Sequence, residues 1–435
     1  MLLRGRGLRI LLLHIALLAA CARRPNIVLL LTDDQRYDSL DVMPNVQRLA
    51  AEGVNFTQAL VPTAVCGPSR VAILTGTLAS SQGVHLNEGA AGQFDPTRSI
   101  AVRLQEQGYT TALYGKYLNG YRDLFPAVPV GWNEWRVFRD DFLDLFKAGS
   151  IHVDPVLSWD GKLKRVPGYS TDLLGDFAAD FIRRRATAPE PSPFFLMVSF
   201  SAPHVPLVPA ARHEGLFKGR VPPPPPSLHE DDLSDKPQFI RDFVAELGGD
   251  PSLDDVRWDD AEERTFEMLQ SVDEAVGHIL DALEKQGLAE NTLVVFTSDN
   301  GFLFGEHGWI GKGVPYDESI RVPLVVRYPA LARPGNSDAL VTSLDLAPTF
   351  AALAGAKLEA QGHSLVPLLL LPHLPWLPFA TLDFEASMSL AQGYRGFRFQ
   401  NYAWVMWDDG RVESYDLRRD PYELEGMPAR GASGR

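Results

Sequence analysis

The sequence predicts an α/β protein built on a large mixed, mainly parallel sheet sandwiched by helices, with a small C-terminal antiparallel sheet subdomain. Three observations lead there. Continuous apolar runs, the mark of strands buried on both faces, alternate with stretches of helical spacing. Four of those runs deliver polar residues at their carboxyl ends, where open α/β sheets bind ligands. From about Thr381 the alternation gives way to short aromatic runs around a turn signal.

Asn26 to Thr32 (NIVLLLT) reads as the first buried strand, and Val46 to Glu52, entered after Pro44, as a helix. Ile100 to Gln107 has helical spacing and closes at Gly108, a residue suited to the left-handed conformation that ends helices, before a strand over Tyr109 to Tyr114. Asp172 to Arg185 is helical, and Phe194 to Phe200 (FFLMVSF) is another buried strand. Phe266, Leu269, Val272, Val276, Ile279, Leu280 and Leu283 share one face of a helix ending near Gly287. Leu293 to Thr297 and Leu324 to Tyr328 read as further strands. Pro222 to Pro226 is a stiff polyproline run within an insertion over about 206–258. Leu365 to Leu371 is apolar but contains Pro367 and stops at Pro372; too short to cross a membrane, it is expected to pack between domains. Tyr402 to Trp407, Asp408-Asp409-Gly410 and Val412 to Leu417 form a hairpin. The resulting division is a leader at 1–20, a main domain at 24–372, the antiparallel subdomain at 373–425 and a tail at 426–435.

Apolar content of 45% and charged content of 22% are those of a globular protein, and two cysteines exclude a disulfide framework. The formal charge is −14; without Arg4, Arg6 and Arg9 of the leader, 38 basic residues face 55 acidic ones, a balance of −17. That excludes nucleic acid as an expected partner, and any anionic ligand must be held by a local cluster of cations. The leader has a basic start and an apolar run from Ile10 to Ala20, too short for a membrane helix, which marks export. Leu18-Ala19-Ala20-Cys21 reads as a bacterial lipobox, with cleavage before Cys21 and lipid on its sulfur; a plain signal peptide whose last residue happens to be cysteine is the alternative. The expected location is the bacterial cell envelope, with the membrane as a partner through that lipid.

Asp33 and Asp34 follow the first strand, Lys116 the strand ending at Tyr114, His204 the FFLMVSF strand, and Asp299-Asn300 the LVVFT strand. Singly, each has an ordinary reading: an Asp pair or Asp-Asn-Gly as a turn, a lysine as a solvated surface group, a histidine as a loop cap. Cys66, outside the leader region, is the other cysteine; alone it would be an inert buried hydrophobe.

Cys66-Gly67-Pro68-Ser69-Arg70 resembles the C-x-P-S-R signature of sulfatases of the alkaline phosphatase superfamily. The likeness continues through PNIVLLLTDD, Thr75-Gly76, GKYLNGY at 115–121, SAPHVP at 201–206, SDNG at 298–301, GEHGWIGKG with the following RVPL, and YDLRRDPYE at 415–423. GKYLNGY, which contains Asn119, resembles the N-acetylglucosamine-6-sulfatase and heparan-sulfatase branch. The resemblance implies that a maturation enzyme oxidises Cys66 to formylglycine. Its hydrated aldehyde attacks sulfur, and its second hydroxyl then drives sulfate out, a release serine cannot perform. It also implies one Ca²⁺ held by Asp33, Asp34, residue 66, Asp299 and Asn300, an oxygen-rich set suited to a hard cation. Arg70, one helical turn beyond residue 66, would bind the diol and the carboxylates. Lys116, His204 and Lys312 would surround the sulfate, with His204 or Lys312 protonating the leaving oxygen.

Two departures bear on substrate. Leu118 stands where arylsulfatases of the family commonly carry histidine, so His307 or His85 is expected to supply the base for sulfate elimination in its place, and both, with Asn119, to bind substrate. Gly301-Phe302-Leu303-Phe304 also lacks a nearby histidine that relatives often have. The expected substrate is a sulfated amino sugar or glycosaminoglycan fragment. The rival readings are a phosphatase or phosphodiesterase of the same superfamily, and an inactive carbohydrate-binding lipoprotein with unoxidised Cys66.

Overall fold

Strand β1 (Asn26–Asp33) is buried along its whole length, with Ile27, Leu29 and Leu31 facing one side and Val28 and Leu30 the other. Burying each such side chain stabilises the fold by about 1.5–3 kcal/mol, which is why this apolar run takes the middle of the sheet. The computed structural model describes residues 24–139, 151–220, 224–228, 230–247, 260–385 and 391–427. The leader at 1–20, Cys21, Pro222 and Pro223, much of the far end of the insertion and most of the tail lie outside the described residues.

After β1 come β2 (Val54–Leu60), β3 (Thr110–Gly115), β4 (Glu134–Phe138), β5 (Val156–Trp159), β6 (Lys162–Arg165), β7 (Phe194–Pro203) and β8 (Thr292–Ser298). The series continues with β9 (Leu303–Phe304), β10 (Ile310–Gly311), β11 (Leu324–Arg327) and β12 (Gly335–Thr342). It closes with β13 (Phe379–Phe384), β14 (Tyr394–Phe399), β15 (Tyr402–Trp407) and β16 (Val412–Asp416). Ten of them form one mixed sheet in the order β12-β2-β11-β8-β1-β7-β3-β4-β5-β6. The run β8-β1-β7-β3-β4 is parallel throughout. Because β8, β1, β7 and β3 point the same way, the residues that follow them emerge at one edge.

Helices cover both faces. Seven matter here: α1 (Pro44–Ala51), α2 (Cys66–Thr75), α3 (Ile100–Glu106), α4 (Ser170–Ala186), α5 (Ala261–Lys285), α6 (Leu346–Ala354) and α7 (Val366–Leu370). Helices α2, α3, α6 and α7 pack with Ile27, Leu29 and Leu31, while α1, α4 and α5 pack with Val28 and Leu30. The expectation for Leu365 to Leu371 is corrected. Pro367 sits in the first turn of α7, where a missing N–H costs nothing, and the helix joins the core beneath the large sheet rather than an interdomain seam. The inner face of the four-stranded antiparallel sheet β13-β14-β15-β16 packs through Ala380, Leu382, Tyr394, Val405 and Trp407 onto Trp309, Tyr316 and Ile320 of the main body.

Candidate active site

Helix α2 opens at Cys66 and all ten of its residues are buried. Pro68 lies in the first turn, where no intrahelical N–H bond is lost, and Gly76 ends the helix at φ +68°. The Gly67 N–H is taken by Asn87 Oδ1 at 2.7 Å. The start of this helix, with its partial positive charge, therefore points Cys66 toward the carboxyl ends of β1 and β8.

Asp33, Asp34, Asp299 and Asn300 are all buried there. Cys66 Sγ lies 3.4 Å from Asp33 Oδ1 and 2.8 Å from Lys312 Nζ. Lys312 also pairs with Asp34, and Lys116 with Asp33. Arg70, fully buried, donates from Nε to Asp299 Oδ2 at 2.7 Å, from Nη1 to Ser199 Oγ at 2.6 Å, and lies 3.4 Å from Asp33 Oδ2. Asp34 takes the left-handed conformation at φ +67°, which Asp tolerates better than most residues. Lys116 follows Gly115, whose φ of +105° and close approach to Ser199 leave no room for a side chain: a Cβ would meet Ser199 O at 1.8 Å. His204 is about a quarter exposed, with Nδ1 2.6 Å from Val205 O and Nε2 3.7 Å from Asp34 Oδ2.

The charges set one another. Burial works to raise the Asp33 carboxyl, but Lys116, His204, Arg70 and Lys312 outweigh it and hold the group below the usual carboxylate range. Burial works to lower Lys116, yet Asp33 outweighs it and keeps the ammonium above the ordinary lysine value. Burial, reinforced by Asp33, pushes the Cys66 thiol up to about 12, so the unmodified side chain is a thiol rather than a thiolate.

The residues present fit a hard divalent cation. Asn300 Nδ2 donates to Asp34 Oδ1 at 2.6 Å and to Gly301 O at 2.8 Å, while Asn300 Oδ1 and Asp34 Oδ2 are buried without a hydrogen-bond partner. Two orphaned buried oxygens beside Asp33 are costly unless an ion uses them. Atoms of Asp33, Asp34, Cys66 and His204 lie within 4.8 Å of one another.

A cavity of about 80 Å³ opens beside the cluster, lined in part by Lys116, Leu118, Asn119, His204, Asn87 and Ser201. Asn119 thus borders the cavity. His307 and His85 do not join the cluster. His307 is fully buried, held by Glu230 Oε2 at 3.2 Å and stacked on Tyr316, so it cannot touch a substrate; that expectation is corrected. His85 Nδ1 pairs with Glu385 Oε2 at 2.8 Å and neither lines the cavity nor bonds to the cluster among the described residues. Asn87, Ser199 and Ser201 went unread in the sequence. The two serines carried a signal, since they interrupt an apolar strand near its carboxyl end; Asn87 carried none.

A buried cation-lined cradle at the carboxyl edge of an alkaline phosphatase-like sheet defines a hydrolase of tetrahedral oxyanion esters. The chain belongs to the sulfatase family and is a sulfuric ester hydrolase: residues 25–356 match the family model Sulfatase, and residues 305–431 match that of the N-sulphoglucosamine sulphohydrolase C-terminal region. It is 30% identical to the N-acetylglucosamine-6-O-sulfatase of Bacteroides thetaiotaomicron, over 94% of this chain and 85% of that protein. It is 32% identical to the human N-acetylglucosamine-6-sulfatase over 81% of this chain and 65% of that protein, which supports the N-acetylglucosamine-6-sulfatase branch. A protein solved in complex with its substrate D-glucosamine-2-N,6-O-disulfate superposes with a TM-score of 0.78 at 28% identity, covering 93% of each chain. The phosphonate monoester hydrolase of Agrobacterium radiobacter superposes at 0.72 with 24% identity over 93% of this chain and 91% of that one, a likeness of fold.

Proposed function

We propose that this sulfatase hydrolyses the 6-sulfate of a glucosamine residue at a chain end, using formylglycine made from Cys66 and one calcium ion. The observation that carries the reading is the convergence on Cys66 of Asp33, Asp34, His204 and Lys312. Asp33, Asp34, Asp299 and Asn300 would hold the ion, which polarises the nucleophile and neutralises sulfate oxygens when bound. Formylglycine would supply a hydroxyl nucleophile that regenerates itself, where a thiol or serine would not.

The chain's own side chains divide the remaining work. Arg70, tied to Asp299 and near Asp33, fixes the ligand carboxylates. Lys116 and Lys312 offer ammonium groups to the equatorial sulfate oxygens. Without an ion, the charges of Arg70, Lys116 and Lys312 balance those of Asp33, Asp34 and Asp299; a divalent ion makes the site net positive, as binding a sulfate ester requires. His204 or Lys312 protonates the leaving oxygen. With Leu118 at the cavity wall and His307 buried elsewhere, His204 is the imidazole among the cavity's lining residues, and we assign it the proton transfer of sulfate release.

The acidic balance of the chain supports action on a terminal sugar, since an anionic polymer would dock only through a local basic rim. The substrates and activities named for the relatives support the amino sugar. We place the domain division near residue 372, and propose export with lipid on Cys21; among the described residues no helix is long and apolar enough to cross a membrane. Sulfate release from 6-, N- and 2-sulfated glucosamine mono- and disaccharides, set against intact polymer and a phosphate diester, tests the reading. Preference for internal sulfates, for a simple aryl sulfate or for the phosphate diester overturns it.

A further inference from the structure

A second group of ionisable side chains lies outside the catalytic cluster. His307, Glu318 and Glu423 are each at least nine-tenths buried, and one ring nitrogen of His307 and one oxygen of each glutamate lie within 4.8 Å of one another. The three come from the loop after β9, the short helical turn Asp317–Ile320 and the segment after β16. Glu230 Oε2 lies 3.2 Å from His307 Nδ1, which orients the ring and turns Nε2 toward Glu318. Nε2 makes no hydrogen bond although Glu318 Oε2 is only 3.4 Å away. Three ionisable groups buried this close are stable only with a cation between them, whether a proton or a metal ion.

The neighbouring cations make their ion pairs with other partners. Arg398 pairs with Asp317 at 2.9 Å, Arg36 with Glu306 and Asp38, and Lys236 with Glu230 and the carbonyls of Glu423 and Leu424. The outer oxygens are also fixed: Ser227 Oγ donates to Glu318 Oε1 at 3.0 Å, and the Asp317 N–H to Glu423 Oε2 at 3.0 Å. A histidine oriented by a carboxylate on its far nitrogen, with its ligating partners held by further hydrogen bonds, is how proteins prepare a metal ligand.

We propose that His307, Glu318 and Glu423 form a second, structural metal site for a divalent transition ion of the zinc class. One nitrogen and two carboxylates suit Zn²⁺ better than Ca²⁺, and its two charges cancel those of the glutamates. His307 and Glu318 bracket Lys312, so the ion closes the base of the loop that presents Lys312 to Cys66. Glu423 ties the C-terminal segment to the same point. The site does not depend on the identity of the substrate.

The test is metal analysis of the full chain purified after growth with added zinc and desalted. The expected result is about one zinc per chain besides the calcium, with zinc lost and calcium retained in His307→Gln and in Glu423→Gln. Cobalt supplied in place of zinc should give visible absorption bands that His307→Gln abolishes. If His307→Gln fails to fold, Glu423→Gln, which keeps an acceptor for the Asp317 N–H, decides the matter. Wild-type protein without zinc or a cobalt spectrum, or both metals held equally by the variants, overturns the proposal.

Discussion

Arg70 and Asp299, both fully buried, meet at 2.7 Å across the junction between α2 and the end of β8. Removing one partner of such a pair strands a charge in the interior, which costs about 3–5 kcal/mol. Arg70→Ala should therefore lower stability by that order and abolish sulfate release. Arg70→Lys should keep more of the stability, but lose activity because one ammonium cannot reach Asp299, Ser199 and Asp33 together. Denaturant unfolding and steady-state assays on both variants check this; an active Arg70→Ala would refute the assigned role.

Cys66→Ser should bind substrate and fail to turn over, because a serine ester has no second hydroxyl to expel sulfate. Intact-peptide mass on the wild type should show the aldehyde at residue 66. Sustained multiple turnover by the serine variant would remove the proposed chemistry.

Gly115→Ala should act through position alone. The new methyl group would overlap Ser199 O, so the backbone carrying Lys116 must shift. A displacement on the order of 1 Å at a reacting group costs roughly 100-fold in rate. We expect a loss of that order in kcat/KM with Lys116 itself unchanged, and a near-normal rate would show that Lys116 need not be held so closely.

Chelation should inactivate the enzyme and loosen it at one place. With the ion gone, Asp34 Oδ2 and Asn300 Oδ1 have no partner, so the melting temperature should fall and recover on adding calcium. Unchanged melting and activity after exhaustive chelation would overturn the assigned ligand set.

Asp345 offers a pH test away from the cluster. Burial raises its carboxyl to about 6, although the N–H groups of His363 and Thr342 pull the other way. The folded chain then binds more protons here than the unfolded chain between the ordinary aspartate value of 3.8 and about 6, so this group's contribution is full below that window and declines as pH rises through it. The stability difference between wild type and Asp345→Asn should change by about 2–3 kcal/mol across the window. A flat difference would show that the group titrates normally.

The sequence exposed the buried charged cluster more fully than the fold around it. Asp33, Lys116, His204 and Asp299 were legible because each ends an apolar run, and parallel strands bring their ends together wherever the helices lie. Strands β2 and β12 were not, since Val54–Leu60 and Gly335–Thr342 mix polar and apolar residues without a clear period. His307 was misread for a different reason. A loop histidine looks the same in sequence whether it faces a substrate or a buried glutamate, and its partner Glu230 is 77 residues away. Asn87 offers no pattern at all, and only the folded chain brings it to the Gly67 N–H.

The complete burial of Cys66 has a consequence for timing. Under the proposed chemistry an enzyme must reach that sulfur, and in the finished fold helix α2, Asp33 and Lys312 enclose it. Oxidation then has to precede closure, on a chain still extended. A molecule that folds first is locked in the thiol form for as long as it stays folded. The specific activity of a preparation would thus record a race between maturation and folding, and slowing the folding should raise it.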